Sequence, residues 1–136
     1  MQSLHSHSPD QTHRATLKYE GEIRFGPPYY SLALDGTRVG NEVFGQSSLW
    51  SQDSRFFVVQ QWLSTKESDG PQTALVCFDL SERRRCQVST AKHGFIVPQR
   101  FEDETLIYTK EHFGTQGQRI NEYEIDFRNL PRWKPM

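Results

Sequence analysis

A pattern of turn, apolar strand, polar loop and second apolar strand occurs twice in this chain, about fifty residues apart. The first copy is WSQDSRFFVVQQW, residues 50–62, followed by ALVCFDL, residues 74–80. The second copy is RFEDETLIYTKEHF, residues 100–113, followed by NEYEIDF, residues 121–127. Duplicated strand units predict a repeat architecture, in which neighbouring units bury each other's apolar faces. Such repeats more often form binding surfaces than catalytic pockets.

Local patterns elsewhere also predict β-structure. Residues 15–25 alternate apolar and polar side chains, which indicates a strand with one buried face. The Gly-Pro-Pro segment at 26–28 ends that strand, and the Asp35-Gly36 pair predicts a tight hairpin turn. Four consecutive apolar residues at 56–59 are typical of a strand covered on both faces. No segment has a helical period with caps, so we predict an all-β chain.

Length and composition favour one globular unit. The 136 residues suffice for one domain, and nine Phe, five Tyr and three Trp provide large side chains for a β core. Residues 1–14 are polar and predict a disordered N-terminal tail. Residues 15–136 then form a single all-β domain, with repeat units at about 50–90 and 100–127. A net charge of −1 argues against a general nucleic-acid binder, which needs a basic surface.

The sequence also indicates the cellular compartment. The N-terminal residues contain no apolar run typical of a secretory signal, and no stretch is apolar and long enough to cross a bilayer. We therefore expect a cytoplasmic protein that does not contact membranes.

Cys77 and Cys86 flank a predicted hairpin turn and are expected to lie opposite each other, either as reduced, packed thiols or as a bonded pair.

The first copy of the repeat resembles a bacterial β-propeller blade. Its WSQDSRFFVV segment, followed by a strand ending in FDL, is similar to the Trp-Ser-Pro-Asp-Gly, apolar strand, Asp-Leu pattern of the Tol-Pal periplasmic protein and of peptidase propellers. Gln52 replaces the usual proline and Ser54 the usual glycine, and the second copy retains only Asp103 and the apolar strand. Because a closed propeller needs about four or more blades, the resemblance implies a half β-propeller of two antiparallel β-sheets packed face to face.

Isolated half-propellers of this size resemble immunity proteins of contact-dependent growth inhibition and related polymorphic toxin systems. The resemblance implies a cytoplasmic, non-enzymatic protein that binds its cognate toxin domain, for instance a nuclease, and covers its active site. It also implies a monomer until the toxin is bound, with no cofactor, no metal and no direct contact with nucleic acid. Immunity proteins share no common motif, so the resemblance assigns no functional residue.

One candidate binding site is an acidic row on the last long strand. Period-two alternation places Glu122, Glu124 and Asp126 on one face, away from Tyr123 and Ile125. Such a row can pair with the basic surface of a nuclease. Alternatively, it is a solvated outer face, or it protects an exposed strand edge from aggregation.

A second candidate site is the strand tips, where aromatic side chains adjoin polar loops. Aromatic anchors ringed by polar groups are typical of protein-binding hot spots, although each aromatic side chain can instead cap the core of its own unit. Tyr29, after the double proline, is expected to be exposed because Tyr30 has the parity of the core face. The tip residues that we predict to bind a partner are Trp62, Glu67, Asp69, Glu111, His112, Phe113 and Tyr29.

The sequence offers little for catalysis. It contains no nucleophile elbow, no glycine-rich phosphate loop and no zinc-type ligand spacing, and His93 and His112 are isolated. We expect a protein that is not an enzyme. Two alternatives remain open: a structural or oligomerising subunit whose partial propeller is completed by a second copy, and a small enzyme with a cleft between the sheets.

Overall fold

The computed structural model describes residues 3–23, 26–114 and 117–136. In these residues the chain forms twelve strands and two short 3-10 turns, so the all-β prediction is confirmed. Arg24 and Phe25, the end of the first predicted strand, lie outside the described residues. The strands are β1 Ser3–His7, β2 Arg14–Glu22, β3 Pro28–Leu34, β4 Thr37–Arg38, β5 Val43–Trp50, β6 Phe56–Trp62, β7 Gln72–Asp79, β8 Arg84–Lys92, β9 Gly94–Glu102, β10 Thr105–Gly114, β11 Gly117–Asp126 and β12 Lys134–Pro135. The 3-10 turns are η1 Glu67–Asp69 and η2 Phe127–Asn129.

The strands form two antiparallel sheets. The larger sheet has the order β1-β2-β3-β5-β6-β7-β8-β12, with β4 also paired to β3, and the smaller sheet has the order β11-β10-β9. Strands β3 and β5 are joined by the single residue pair Tyr30 and Phe44. This narrow junction lets the larger sheet fold over on itself. We call β1–β4 layer 1, β5–β8 with β12 layer 2, and β9–β11 layer 3.

Two hydrophobic cores separate the three layers. The first core contains Leu17 and Leu32 from layer 1 together with Phe57 and Phe78 from layer 2, all at most 5% exposed. Burial of four side chains of this size stabilises the fold by several kcal/mol in total, at about 1.5–3 kcal/mol each. Layers 1 and 2 therefore pack face to face, although they belong to the same sheet.

The second core lies between layers 2 and 3. Phe56 and Leu75 from layer 2 meet Leu106 and Tyr108 from layer 3, and Phe127 of η2 closes one end. Adjacent residues of β6 thus enter different cores, which confirms the prediction of a strand covered on both faces. The expected packing of two antiparallel sheets face to face is also confirmed.

The Asp35-Gly36 hairpin turn is confirmed as well. Leu34 pairs with Thr37, leaving a two-residue loop in which Asp35 has φ 51° and Gly36 has φ 85°. Positive φ at both central residues is the geometry of a type I′ turn, and glycine adopts it without steric cost.

The N-terminal segment differs from the expectation of a disordered tail over residues 1–14, as far as residues 3–14 show; Met1 and Gln2 lie outside the described residues. Residues 3–7 form β1, which pairs with β2, and Ser6 accepts a hydrogen bond of 2.9 Å from the Trp50 indole. In the following turn, hydrogen bonds from the side chain and backbone of Thr12 hold the pKa of the Asp10 carboxyl well below its usual range. The prediction considered only the lack of apolar residues. It missed that a polar segment can be ordered by backbone pairing and side-chain hydrogen bonds.

The two cysteines lie directly opposite each other on β7 and β8, and both are free thiols. Burial raises the pKa of both Cys77 and Cys86, so both remain protonated and unreactive at neutral pH. The Cys86 thiol donates a hydrogen bond of 3.0 Å to the carbonyl oxygen of Pro131, which helps to hold the C-terminal segment against layer 2.

The two sequence copies correspond to the hairpins β6–β7 and β10–β11. Asp79 and Asp126, which end the copies, have the same local role: each accepts a hydrogen bond from the backbone N–H two residues later, in Ser81 and Arg128. Their environments differ, because Asp79 is fully buried and Asp126 is exposed.

Candidate protein-interaction surface

The outer face of layer 3 carries the acidic row. In β10, Leu106 and Tyr108 enter the second core, so alternate residues such as Thr109 point away from it. Thr109 pairs with Glu122, and the same register places Glu124 and Asp126 on the outer face. Ile125 faces inwards and packs on the second core.

This outer face is mainly acidic. Glu111, Glu122, Glu124 and Asp126 contribute four carboxylates, and Asp126 also caps η2 by accepting the backbone N–H of Arg128. Arg100 lies among them and donates to Glu102 at 2.9 Å and to Glu122 at 3.4 Å. All three side chains of these ion pairs are more than half exposed, so the pairs contribute little to stability and can be exchanged for pairs with a partner.

An aromatic run adjoins the acidic row. Trp62 at the end of β6 contacts Phe95 of β9 with ring centroids 5.7 Å apart, and Phe95 contacts Phe113 of β10 at 5.9 Å. Trp62 is buried, whereas Phe113 is 54% exposed. The run therefore leads from the core to the surface and crosses from layer 2 to layer 3. It brings together two of the predicted tip residues.

Phe95, the link in this run, was not predicted as a site residue. The only local signal is the short apolar segment Phe95-Ile96-Val97, which is typical of a strand but does not indicate which strands lie beside it. Only the packing of β9 beside β6 places Phe95 between Trp62 and Phe113.

All three layers meet at a cavity beside the aromatic run, which we call the three-layer pocket. Its volume is about 230 Å³. It lies where the start of β3, the middle of β5, the end of β6 and the outer face of layer 3 come together. The lining residues are Pro27, Pro28, Gly45, Gln46, Ser47, Gln60, Trp62, Phe95, Val97 and Glu111.

Three of the other predicted residues, Glu67, Asp69 and Tyr29, do not line the three-layer pocket. Glu67 and Asp69 belong to η1 in the β6–β7 loop, where both are exposed and Asp69 accepts a 2.6 Å hydrogen bond from Ser64. The expectation that Tyr29 is exposed was not met: Tyr29 is half-buried and lies against Gly21, where a Cβ atom would collide with its ring. Tyr30 is buried as expected.

His112 points to the opposite face from its neighbours Glu111 and Phe113, because successive residues of a strand alternate. Its Nδ1 atom is buried without a hydrogen-bond partner among the described residues. The tip grouped in the sequence as Glu111, His112 and Phe113 is thus divided between two faces of layer 3.

A larger cavity lies elsewhere, at the β5–β6 and β9–β10 turns. Its volume is about 560 Å³, and it is lined by Asp53, Asp103, Glu104 and Arg128 among others. Arg128 donates to Asp53 at 2.9 Å and lies 3.8 Å from Glu104, so it links the two turns. Sequence reasoning did not identify this place as a site.

Comparison of the chain with protein-family models, curated proteins and solved structures finds no match in any of the three. Within residues 3–23, 26–114 and 117–136, no group of three or more His, Cys, Asp or Glu side chains is arranged to hold a metal ion. In that same part of the chain, none of the helical segments has the length and apolar character needed to cross a membrane.

Proposed function

We propose that this chain is a cytoplasmic immunity protein with a half β-propeller fold, which binds a cognate toxin domain and covers its active site. The observation that carries the proposal is the outer face of layer 3, where an acidic row adjoins an aromatic run. The mechanism is steric occlusion assisted by charge complementarity, and it requires no reactive group on this chain.

The distribution of exposed apolar side chains supports this surface. Four large apolar residues are exposed among the described residues: Leu63, Phe113, Ile120 and Tyr123. Phe113 and Ile120 lie on the same face of layer 3 as the acidic row, whereas Tyr123 stacks on Tyr108 and lies on the opposite face of β11. Exposed aromatic and aliphatic anchors beside polar groups are typical of binding hot spots. A standard interface buries about 800 Å² on each partner, which is compatible with one face of a three-stranded sheet and its adjoining tips.

The charge of the surface indicates a basic partner. A nuclease active site binds phosphates through Lys and Arg, and Glu122 and Glu124 can pair with the same cations when the toxin docks. Charge pairs at the rim of an interface mainly accelerate association and set its orientation, while the aromatic run supplies the buried contact.

The decisive experiment is co-expression with the toxin domain encoded beside this chain, with growth rescue and co-purification as readouts. Replacement of Glu122 and Glu124 together by Lys is expected to weaken toxin binding at least about tenfold, by charge reversal, with an unchanged melting temperature. The matched control replaces the exposed Glu22 and Glu82 of layers 1 and 2 by Lys, which changes the net charge equally. Equal weakening by both pairs, or the absence of any complex, contradicts the proposal.

An oligomerising partial propeller is the second candidate, and the exposed strand β11 favours it. Its ten residues, Gly117–Asp126, form the edge of layer 3, and only β10 pairs with it among the described strands. A free edge can accept a strand from a second copy. Size-exclusion chromatography distinguishes the candidates. An immunity protein elutes as a monomer until toxin is added. A β11-paired oligomer elutes as a dimer, and Asn121→Pro would convert that dimer to monomers.

A further inference from the structure

We infer that the three-layer pocket receives one arginine side chain of the bound protein partner. This inference rests on the proposed function for the identity of the partner, but the chemistry of the pocket is independent of it. The pocket combines unused hydrogen-bond acceptors, a carboxylate and aromatic walls.

The first acceptor is the side-chain amide of Gln60, which is 6% exposed. Its Nε2 atom donates a 2.9 Å hydrogen bond to the carbonyl oxygen of Ile96, which fixes the amide orientation. The Oε1 atom therefore points away from Ile96 and lies against Gly45, where a Cβ atom would collide with it. No described side chain donates to this oxygen. An acceptor that is held in place on a buried side chain and has free capacity favours an occupant that donates.

The second acceptor is the carboxylate of Glu111, which is half-buried and lines the pocket. One of its oxygens lies 3.4 Å from the hydroxyl of Thr109, and the other has no partner among the described residues. No Lys, Arg or His is among the lining residues that the structure describes. The pocket thus carries a net negative charge with no basic side chain of its own lining it.

The walls suit a flat cation. The Trp62 and Phe95 rings are in edge-to-face contact, with centroids 5.7 Å apart and planes at 90°, so a flat group can lie against a ring face beside this contact. A guanidinium stacks on aromatic faces and presents five N–H donors in a rigid plane, so it can reach Glu111 and Gln60 together. A lysine ammonium is a compact point charge that lacks the flat stacking surface. A volume of about 230 Å³ accommodates a single side chain and not a chain segment.

The test uses the intact protein and small probes: N-acetyl-arginine amide, its lysine counterpart, and its citrulline counterpart, which has nearly the same shape but no charge. Binding is followed by NMR of the three tryptophan indole N–H groups, with that of Trp62 assigned through Trp62→Phe. The buried Trp62 indole N–H has no hydrogen-bond partner among the described residues and lies at the pocket, so it is a local reporter.

We expect the arginine probe to shift the Trp62 indole and the Gln60 side-chain amide signals without moving the signal of Trp133, and to bind more tightly than the other two probes. Loss of the charged acceptor in Glu111→Gln should weaken this binding about tenfold or more. The matched control Glu122→Gln, which removes a carboxylate from the open part of the same face, should change it less than about twofold. Equal binding of citrulline or lysine, or equal loss in the two variants, overturns the inference.

The same variants separate this inference from the proposed function. If Glu111→Gln captures the toxin as well as the unmodified chain and the arginine probe does not bind, the pocket inference fails while the proposed function stands. If the arginine probe binds as expected but no toxin is captured or neutralised, the proposed function fails while the guanidinium preference of the pocket stands.

Discussion

Replacement of Asp79 by Asn tests how much the buried carboxylate at the end of the first hairpin contributes to stability. Asp79 is fully buried and accepts two hydrogen bonds of 2.9 Å from Arg55 and one of 3.0 Å from Arg84. Its Oδ1 atom also accepts the backbone N–H groups of Ser81 and Glu82. Asn keeps an oxygen for the turn but removes the charge that pairs with both guanidinium groups.

The magnitude follows from the pKa of Asp79. Burial alone would raise it, but the hydrogen bonds from Arg55 and Arg84 outweigh burial and lower it from 3.8 to about 2. A shift of this size corresponds to about 2.5 kcal/mol of stability for the charged form. Because the two arginines are about a third exposed, they can regain water after the substitution, so we expect a loss of about 2 kcal/mol. The melting temperature should fall by roughly 6 °C.

The pH dependence gives an independent check. The folded-state pKa of Asp79 is lower than its unfolded value, so its contribution is complete above the unfolded pKa of about 3.8 and is lost as the pH falls towards 2. The difference between the unmodified chain and Asp79→Asn should therefore be constant from pH 7 to about pH 5 and shrink below pH 4.

Urea unfolding followed by tryptophan fluorescence at several pH values measures this difference. The control is Asp53→Asn, which removes the same charge from the exposed 2.9 Å pair with Arg128 and should cost less than about 1 kcal/mol. If Asp79→Asn costs no more than Asp53→Asn at pH 7, or if its effect persists unchanged at pH 2.5, the structural argument is refuted.

Two further predictions concern the order of the N-terminal segment and the first core. Deletion of residues 1–13 removes β1 and its backbone pairing, and should lower the free energy of unfolding by about 3 kcal/mol or more, measured by urea titration. Unchanged stability would show that the segment does not dock as described. Phe57→Ala removes a ring that is 0% exposed and should cost about 3–5 kcal/mol in the same assay. Leu63→Ala, at 47% exposure, should change stability by less than about 0.5 kcal/mol, and similar losses in the two variants would contradict the assignment of the core.

Much of the local structure followed from short patterns. The alternation from Ala15 to Tyr19 correctly identified the buried face of β2, and the run Phe56 to Val59 correctly identified a strand between two cores. Asp35-Gly36 identified its turn because the conformational preference of that pair is local. In each case the information lies within a few residues, since strand parity and turn geometry are properties of the adjacent backbone.

The N-terminal segment shows where local patterns fail. Ser6 and Asp10 have little apolar surface, but they bond to Trp50 and Ser54, which lie more than forty residues away. Composition cannot predict such bonds, because their formation depends on the position of a distant turn.

The candidate surface could likewise be predicted only in part from local patterns. The two-residue period of a strand predicted that Glu122 and Glu124 share one face. It did not predict that this face is the outer face of layer 3. The aromatic run and the three-layer pocket depend on β9 lying beside β6 and on the start of β3 reaching the same point.

The amino-acid sequence by itself determined that this chain forms antiparallel strands, where several of them turn, and which side chains share a strand face. These properties arise from steric preferences of neighbouring residues and from the pleat of the backbone. The tertiary structure decided that one sheet folds over at Tyr30 and Phe44, and that Gln60, Phe95 and Glu111 surround one cavity. The physical reason is that such neighbours are selected by the burial of apolar faces across the whole chain, which no local segment encodes.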